Sequence, residues 1–354
     1  MSERSVLIRE ITSSPDTSIR AAIEQLSRTE RRILLICDAA GTLLGTITDY
    51  DIRRSILSGL ALDSPVGEVM ATEPIVLSAS LSKANIDAFM RRSRVHYVPI
   101  LDAQRHVVDV CFLQDLVDAE VPEERVALVM AGGFGRRLMP YTEELPKPML
   151  TVGGRPMLFI ILDQIIAEGF THIYVSVFYK SDVIVQAISQ VERYREIVTL
   201  LHEREPLGTA GALALLPQRP TGPLLVINGD LVTQVPLQEM RRYHDREGNA
   251  VTIATKLEHY IVPYGVIEAD NARVLGIREK PKLEFTVSIG AYMLEPEILE
   301  DLARGDRIDM PDLIDRALHV GKAVGCFPVH EYWVDVGTPE QYMRANADAR
   351  NALG

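Results

Sequence analysis

The segment 128–150, LVMAGGFGRRLMPYTEELPKPML, limits what this chain can fold into more than any other. An apolar run, Val126–Met130, has the composition of a buried strand. It leads directly into Gly132, Gly133, Phe134 and Gly135, then Arg136 and Arg137, then Pro146, Lys147 and Pro148. Glycines let the backbone approach a ligand closely and present bare N–H groups to anionic oxygens. Cations placed just beyond them neutralise phosphate charge. Strand, glycine turn and paired cations together point to a site for a nucleoside triphosphate, and they divide the chain in two.

Downstream of Arg125, apolar strand-like runs at 126–130, 173–178, 224–227 and 251–255 alternate with helical patterns. That alternation predicts an α/β unit, a Rossmann-like, mostly parallel mixed sheet covered on both faces, over 126–354. In such sheets ligands collect beyond the carboxyl ends of the strands. Upstream, residues 1–120 repeat at an offset of 64: Ser14 aligns with Ser78, Leu26 with Met90, Asp38 with Asp102 and Asp51 with Asp115. Each half reads as a helix, a strand (Ile33–Cys37 in the first), a turn at 38–41, a second strand (Leu43–Thr48) and a further helix capped by Thr48 or Asp49. A duplicated unit of this size implies two modules that bury each other's apolar faces, a tandem α+β module. The polar, acidic, proline-containing stretch 117–125 reads as the connection, with the linker proper at 121–125.

An apolar content of 47% over 354 residues is ample for two cores, and no apolar run approaches the roughly 20 residues of a membrane span. A net charge of −12 argues against a broad nucleic-acid surface and leaves room for a local cluster of cations. Cys37, Cys111 and Cys326 are widely spaced and lie in or beside apolar runs, so buried structural thiols are expected, and with no secretory signal visible a cytoplasmic setting is expected.

The segment Gly45-Thr46-Ile47-Thr48-Asp49-Tyr50-Asp51-Ile52 resembles the ligand-contacting part of the cystathionine-β-synthase-type (CBS) repeat. The resemblance implies a regulatory purine nucleotide, with Thr48 and Asp51 on its phosphate and ribose; the chemistry fits, since a carboxylate accepts from ribose hydroxyls and a hydroxyl at a helix start meets phosphate. The second copy departs from the pattern: Phe112 replaces the residue matching Thr48 and Asp109 that matching Gly45, although Asp115 is kept. The other reading of the pair is a packing or dimerisation module only.

Gly132-Gly133-x-Gly135-x-Arg137-Leu138-x-Pro140 with Pro146-Lys147-Pro148 resembles the sugar-1-phosphate nucleotidylyltransferases, and four further motifs follow in that family's order over about 125–346. The resemblance implies the nucleotide-diphospho-sugar transferase fold and places Ala131, Gly132, Gly133, Gly135, Glu203, Gly208 and Thr209 on the nucleotide, Arg137 and Lys147 on its triphosphate. Arg136 stands where relatives often have Thr. The loop Glu203-Arg204-Glu205-Pro206-Leu207-Gly208-Thr209-Ala210-Gly211 is most similar to that of mannose- and heptose-1-phosphate guanylyltransferases. A carboxylate offers only acceptors and guanine presents two adjacent donors, so Glu203 favours guanine and hence GTP; a surface charge beside a base read by backbone is the alternative. Asp230, closing the run 224–230, and Asp335 match the family's metal aspartates, and a pair of carboxylates plus phosphates suits Mg²⁺. For the sugar phosphate the resemblance implies Gly265, Glu279, Lys280 and Ser288, the last where relatives often carry Asn.

These residues imply a sequential transfer in which a sugar 1-phosphate attacks the α-phosphorus of the triphosphate and pyrophosphate departs, without a covalent enzyme intermediate. The product the resemblance implies is a nucleotide sugar of the kind used for cell-surface glycans. The sequence leaves three sugars open (mannose, a heptose, an amino sugar), the same reaction with UTP, dTTP or CTP, and a catalytically silent nucleotide-sensing subunit. A homo-oligomer is expected, with neither nucleic acid nor membrane as partner. No hexapeptide repeats follow residue 346 in this sequence, so an acyltransferase tail is not expected.

Overall fold

A computed structural model describes residues 3–29, 31–93, 95–113 and 125–353. The chain divides into two compact units, Met1–Glu123 and Glu124–Gly354.

The first unit carries the sequence repeat into three dimensions. Helix Ile19–Thr29 recurs as Lys83–Ser93, strand Ile33–Cys37 as Tyr97–Leu101 and strand Leu43–Thr48 as Val107–Phe112. In each copy the two strands pair antiparallel, and a short strand, Thr12–Ser13 or Leu77–Ser78, joins the first of them in parallel. The turns match as well. Asp38 Oδ1 accepts the Ala40 and Thr42 N–H groups, both at 2.9 Å, and Asp102 Oδ1 accepts those of Gln104 and His106 at 2.9 and 2.8 Å. These bonds, the Thr42 and His106 N–H groups foremost, hold both carboxyls below the ordinary aspartate range. A three-stranded sheet cannot cover its own apolar face, and here each copy covers the other's: Ile33, Leu35, Cys37 and Leu43 share one core with Leu101, Val110 and Phe112.

Thr48, rather than Asp49, caps helix Asp49–Leu57. Its hydroxyl and its N–H both donate to Asp51 Oδ2, at 2.6 and 2.8 Å, and the Asp51 N–H reaches back to Thr48 Oγ1 at 3.5 Å. This reciprocal pair is a capping box. Asp49 instead pairs with Arg53, whose side chain is fully buried. Asp115 and the linker residues 121–124 lie outside the described residues.

The second unit is built on a seven-stranded sheet in the order Val198–His202, His172–Val177, Val126–Met130, Leu224–Asn228, Lys282–Leu294, Val251–Ile261, Val324–Pro328. The first four run parallel, Lys282–Leu294 is reversed, and Val251–Ile261 returns parallel to Val324–Pro328. Successive side chains of a strand point to opposite faces. Ala127, Leu128 and Val129 are all fully buried, as are Leu225, Val226 and Ile227, so both faces of the sheet centre are covered. The outer halves of Val251–Ile261 and Lys282–Leu294 leave this core as an exposed arm, accompanied by the hairpin Gly265–Asp270 and Arg273–Glu279.

The three cysteines are unbridged. Cys37 is buried as expected; Cys111 and Cys326 are only half-buried because each lies on a strand at the edge of its sheet. Among the described residues no helix is long and apolar enough to cross a membrane.

Thr48→Ala should cost about 1 kcal/mol through loss of the capping box. Hydrogen exchange on the full chain should show faster exchange centred on helix Asp49–Leu57, and Thr48→Ser should remain close to wild type.

Candidate active site

Strand Val126–Met130 lies between His172–Val177, which follows it in the chain, and Leu224–Asn228, which comes later. The strand order therefore reverses at this point, and a crevice opens beyond the carboxyl ends. The Ala131 N–H donates to the Ser176 carbonyl at 3.0 Å and the Gly229 N–H to the Met130 carbonyl at 2.8 Å, so the three strand ends leave the sheet in fixed register.

Two adjoining clefts occupy the crevice. One, of about 300 Å³, is lined by Gly133, Phe134, Gly135, Arg136, Arg137, Leu138, Lys147, Asp230 and Gly337. The other, of about 240 Å³, is lined by residues that include Ala131, Gly132, Gly133, Lys147, Ser176, Glu203, Gly208, Thr209, Asn228 and Asp230. Arg136 is exposed, with its guanidinium 4.9 Å over the Phe134 ring, and Phe134 stands edge-on to Phe178 at 5.6 Å.

Lys147 is buried in the short turn Lys147–Met149 that follows Pro146. Its ammonium donates to Asp230 Oδ2 and lies 3.8 Å from Asp335 Oδ1. Asp335 reaches this place because strand Trp333–Asp335 pairs antiparallel with Leu231–Thr233, which sets Asp335 opposite Leu231. Burial raises the Asp335 pKa, the Asp230 charge raises it further, and Lys147 and Arg137 pull it down. Asp230 Oδ1 is buried without a hydrogen-bond partner. Two converging carboxylates with one buried oxygen left unpaired form a donor set that fits a hard divalent cation.

Glu203 crosses the floor of the second cleft. Its Oε2 accepts the Leu207 N–H at 3.2 Å, and its Oε1 lies 2.8 Å from where a Cβ on Gly132 would be. A side chain at 132 would require that carboxylate to shift. Burial raises the Glu203 pKa, against the opposing pull of the Leu207 N–H and the Ser176 hydroxyl. Ser176 and Asn228 were not picked out from the sequence; each is a lone polar residue at the carboxyl end of an apolar strand next to the glycine turn, and that position is the signal that could have found them.

The residues expected to meet the sugar phosphate do not line either cleft. Gly265 and Glu279 face each other across the hairpin of the arm. Lys280 follows in left-handed backbone, φ 44°, with its N–H donating to the Tyr264 carbonyl at 3.2 Å. Ser288, on Lys282–Leu294, donates its hydroxyl to the Tyr292 oxygen at 3.0 Å. The structure thus gathers Arg137, Lys147, Glu203, Asp230 and Asp335 around the glycine turn and leaves Gly265, Glu279, Lys280 and Ser288 on the neighbouring strands of the arm.

Sheet order and crevice define a doubly wound α/β unit whose strand order reverses at the glycine turn. The profile of the nucleotidyl transferase family matches residues 126–352, and that of the CBS domain matches residues 4–58. The chain belongs to the nucleotidyl transferase family. It is 34% identical over 232 residues to a mannose-1-phosphate guanyltransferase of Schizosaccharomyces pombe, covering 61% of this chain and 62% of that protein. It is 30% identical over 230 residues to mannose-1-phosphate guanyltransferase beta-B of Xenopus laevis, again over 61% of this chain and 62% of the relative. The chain therefore spans 62% of the length of these two curated relatives. The crystal structure of HddC from Yersinia pseudotuberculosis complexed with GMP-PN is similar at a TM-score of 0.51 and 25% identity, covering 63% of this chain and 99% of that one.

The raised Glu203 pKa has a sign that can be tested. Its ionised form weighs against the fold at neutral pH; below the ordinary glutamate pKa both folded and unfolded states are protonated and the penalty vanishes. Glu203→Gln should therefore raise the melting temperature of the full chain at about pH 7, and the gain should fade toward about pH 4. A gain that is the same at both pH values would contradict the assignment.

Proposed function

We propose that this chain is a sugar-1-phosphate nucleotidylyltransferase, making a GDP-sugar and pyrophosphate from GTP and a sugar 1-phosphate. The observation that carries this reading is the convergence of Asp230 and Asp335 on Lys147 at the end of the glycine turn, with Arg137 alongside.

The reaction needs two anions brought together in line. A phosphate oxygen of the sugar 1-phosphate attacks the α-phosphorus, a P–O bond forms there, and the bond to the β-phosphate oxygen breaks as pyrophosphate leaves. Such a transfer asks the protein for position and charge rather than for a nucleophile. The bare N–H groups of the glycine turn and the Arg137 guanidinium bind the triphosphate, and Lys147 adds its ammonium from the buried side. Asp230 and Asp335 would hold Mg²⁺, which when bound offsets the repulsion between the two substrates. Glu279 and Lys280 bind the sugar hydroxyls and the attacking phosphate, with Gly265 and Ser288 beside them; this asks the arm to meet the crevice. Glu203 takes the two donors of guanine on its carboxylate, whereas uracil, thymine and cytosine present edges that a carboxylate does not match. The guanyltransferase names of the curated relatives and the guanine nucleotide in the HddC complex support GTP. The same names make mannose 1-phosphate the first sugar to test.

Pyrophosphate release should be measured for GTP, UTP, dTTP and CTP against mannose, heptose and amino-sugar 1-phosphates. GTP should be preferred by about tenfold or more. Asp335→Ala should slow the reaction on the order of 10³-fold, the size of a lost metal contribution of several kcal/mol. A folded Asp335→Ala variant with near wild-type turnover would sink the metal assignment.

The CBS-domain match at residues 4–58 favours a regulatory role for the first unit. We infer that a purine nucleotide at Thr48 and Asp51 adjusts activity. Because these two side chains already bond each other as a helix cap, the ligand has to share or open that cap. Adenine and guanine mono- and diphosphates added to the full chain should change its rate, and Asp51→Ala should remove the response. A wild-type chain indifferent to all of them would rule the sensor out.

A further inference from the structure

The loop that carries Leu207, Gly208 and Thr209 into the second cleft is held by a segment a hundred residues away. The Ile308 N–H donates to the Leu207 carbonyl at 2.9 Å and the Ala210 N–H to the Ile308 carbonyl at 3.0 Å. The Thr209 N–H donates to Asp309 Oδ1 at 2.9 Å, and the Thr209 hydroxyl donates to the same oxygen at 3.3 Å. Gly208 sits in left-handed backbone, φ 82°, with the Ile308 carbonyl oxygen 2.5 Å and Asp309 Oδ1 2.7 Å from where a Cβ would be. The two segments are pressed together as closely as backbone allows.

Asp309 stands at the N-cap of helix Met310–His319, where an aspartate ordinarily accepts N–H groups of its own first turn. It makes no such bond. The Met310 N–H goes instead to the Thr209 hydroxyl, at 2.7 Å. The helix is thus capped by a residue of the cleft loop, and its own capping carboxylate is turned to hold that loop. A cap that served only the helix would need neither exchange.

We propose that Asp309 is a positioning residue for the nucleotide. It does not line the cleft; it fixes Gly208 and Thr209 at the rim, so that the nucleoside meets a loop already in its bound shape. A preformed loop spares the ligand the entropy of ordering it. The inference rests on the reading that the second cleft takes the nucleoside part of a triphosphate.

The test uses the full chain and both substrates. Calorimetry should first give the affinity of wild type for GTP, UTP, dTTP and CTP. Asp309→Ala should then raise KM for the preferred triphosphate about tenfold, with kcat and the sugar 1-phosphate KM within about twofold. Asp309→Asn keeps an acceptor oxygen for the Thr209 N–H and should recover most of the loss; if Asp309→Ala does not fold, Asp309→Ser, whose shorter side chain can cap its own helix but stops one bond short of the Thr209 contact, is measured in its place and should show the same rise in KM. Wild-type binding with an unchanged triphosphate KM in Asp309→Ala overturns this inference alone. A uniform loss in kcat and both KM values, unrelieved in Asp309→Asn, marks a merely structural role and also overturns it. No triphosphate binding by wild type overturns the proposed function and this inference together.

Discussion

The second unit depends on one placement: the strand Val126–Met130, its first four residues buried, with parallel partners on both edges. Because one partner follows it in the chain and the other comes much later, the connections leave in opposite directions and the space beyond the strand ends stays open. Into that space project the glycine turn from the central strand, Ser176 and Glu203 from one side, and Asn228 and Asp230 from the other. A side chain at 132 would require the Glu203 carboxylate to shift, so bare backbone and carboxylate lie in close contact beside the cleft.

Electrostatics finish what the sheet begins. Two carboxylates held this close would repel, and burial makes the repulsion worse, as the raised Asp335 pKa records. Lys147 relieves it by placing a buried ammonium against both. Arg137 adds a second cation at the same rim. Opposite charges thus face each other within the protein while Asp230 Oδ1 stays without a partner, which suits the triphosphate and cation proposed for the site.

How much of this could be read in the sequence follows from what each feature demands of its residues. A strand buried on both faces must be apolar throughout, so 126–130 stands out, and the neighbouring runs at 173–178 and 224–227 differ from the strands His172–Val177 and Leu224–Asn228 by a residue at their ends. The duplicated module shows because each copy needs the same apolar positions and the same aspartate turn, at Asp38 and Asp102. The arm was hidden: the apolar run at 251–255 is only the buried half of strand Val251–Ile261, and the exposed half mixes Leu257, Tyr260 and Ile261 with charges, leaving no clean period. The burial of Glu203 against Gly132, and the bond between Thr209 and Asp309, join residues far apart and leave no local pattern at all.

That last bond bears on how the molecule comes into being. A ribosome delivers the glycine turn early, Thr209 some seventy residues later, and Asp309 and Asp335 only near the end of the second unit. Contacts of such long sequence separation form late, after the entropy of closing their loops has been met. A nascent chain would therefore own its central strand, its turn and Lys147 well before it owned the anchor of its cleft loop or its second carboxylate. Completion of the proposed site is in this sense deferred: a fragment released before residue 335 lacks the carboxylate that pairing with Leu231–Thr233 brings in, and keeps Lys147 paired with Asp230 alone.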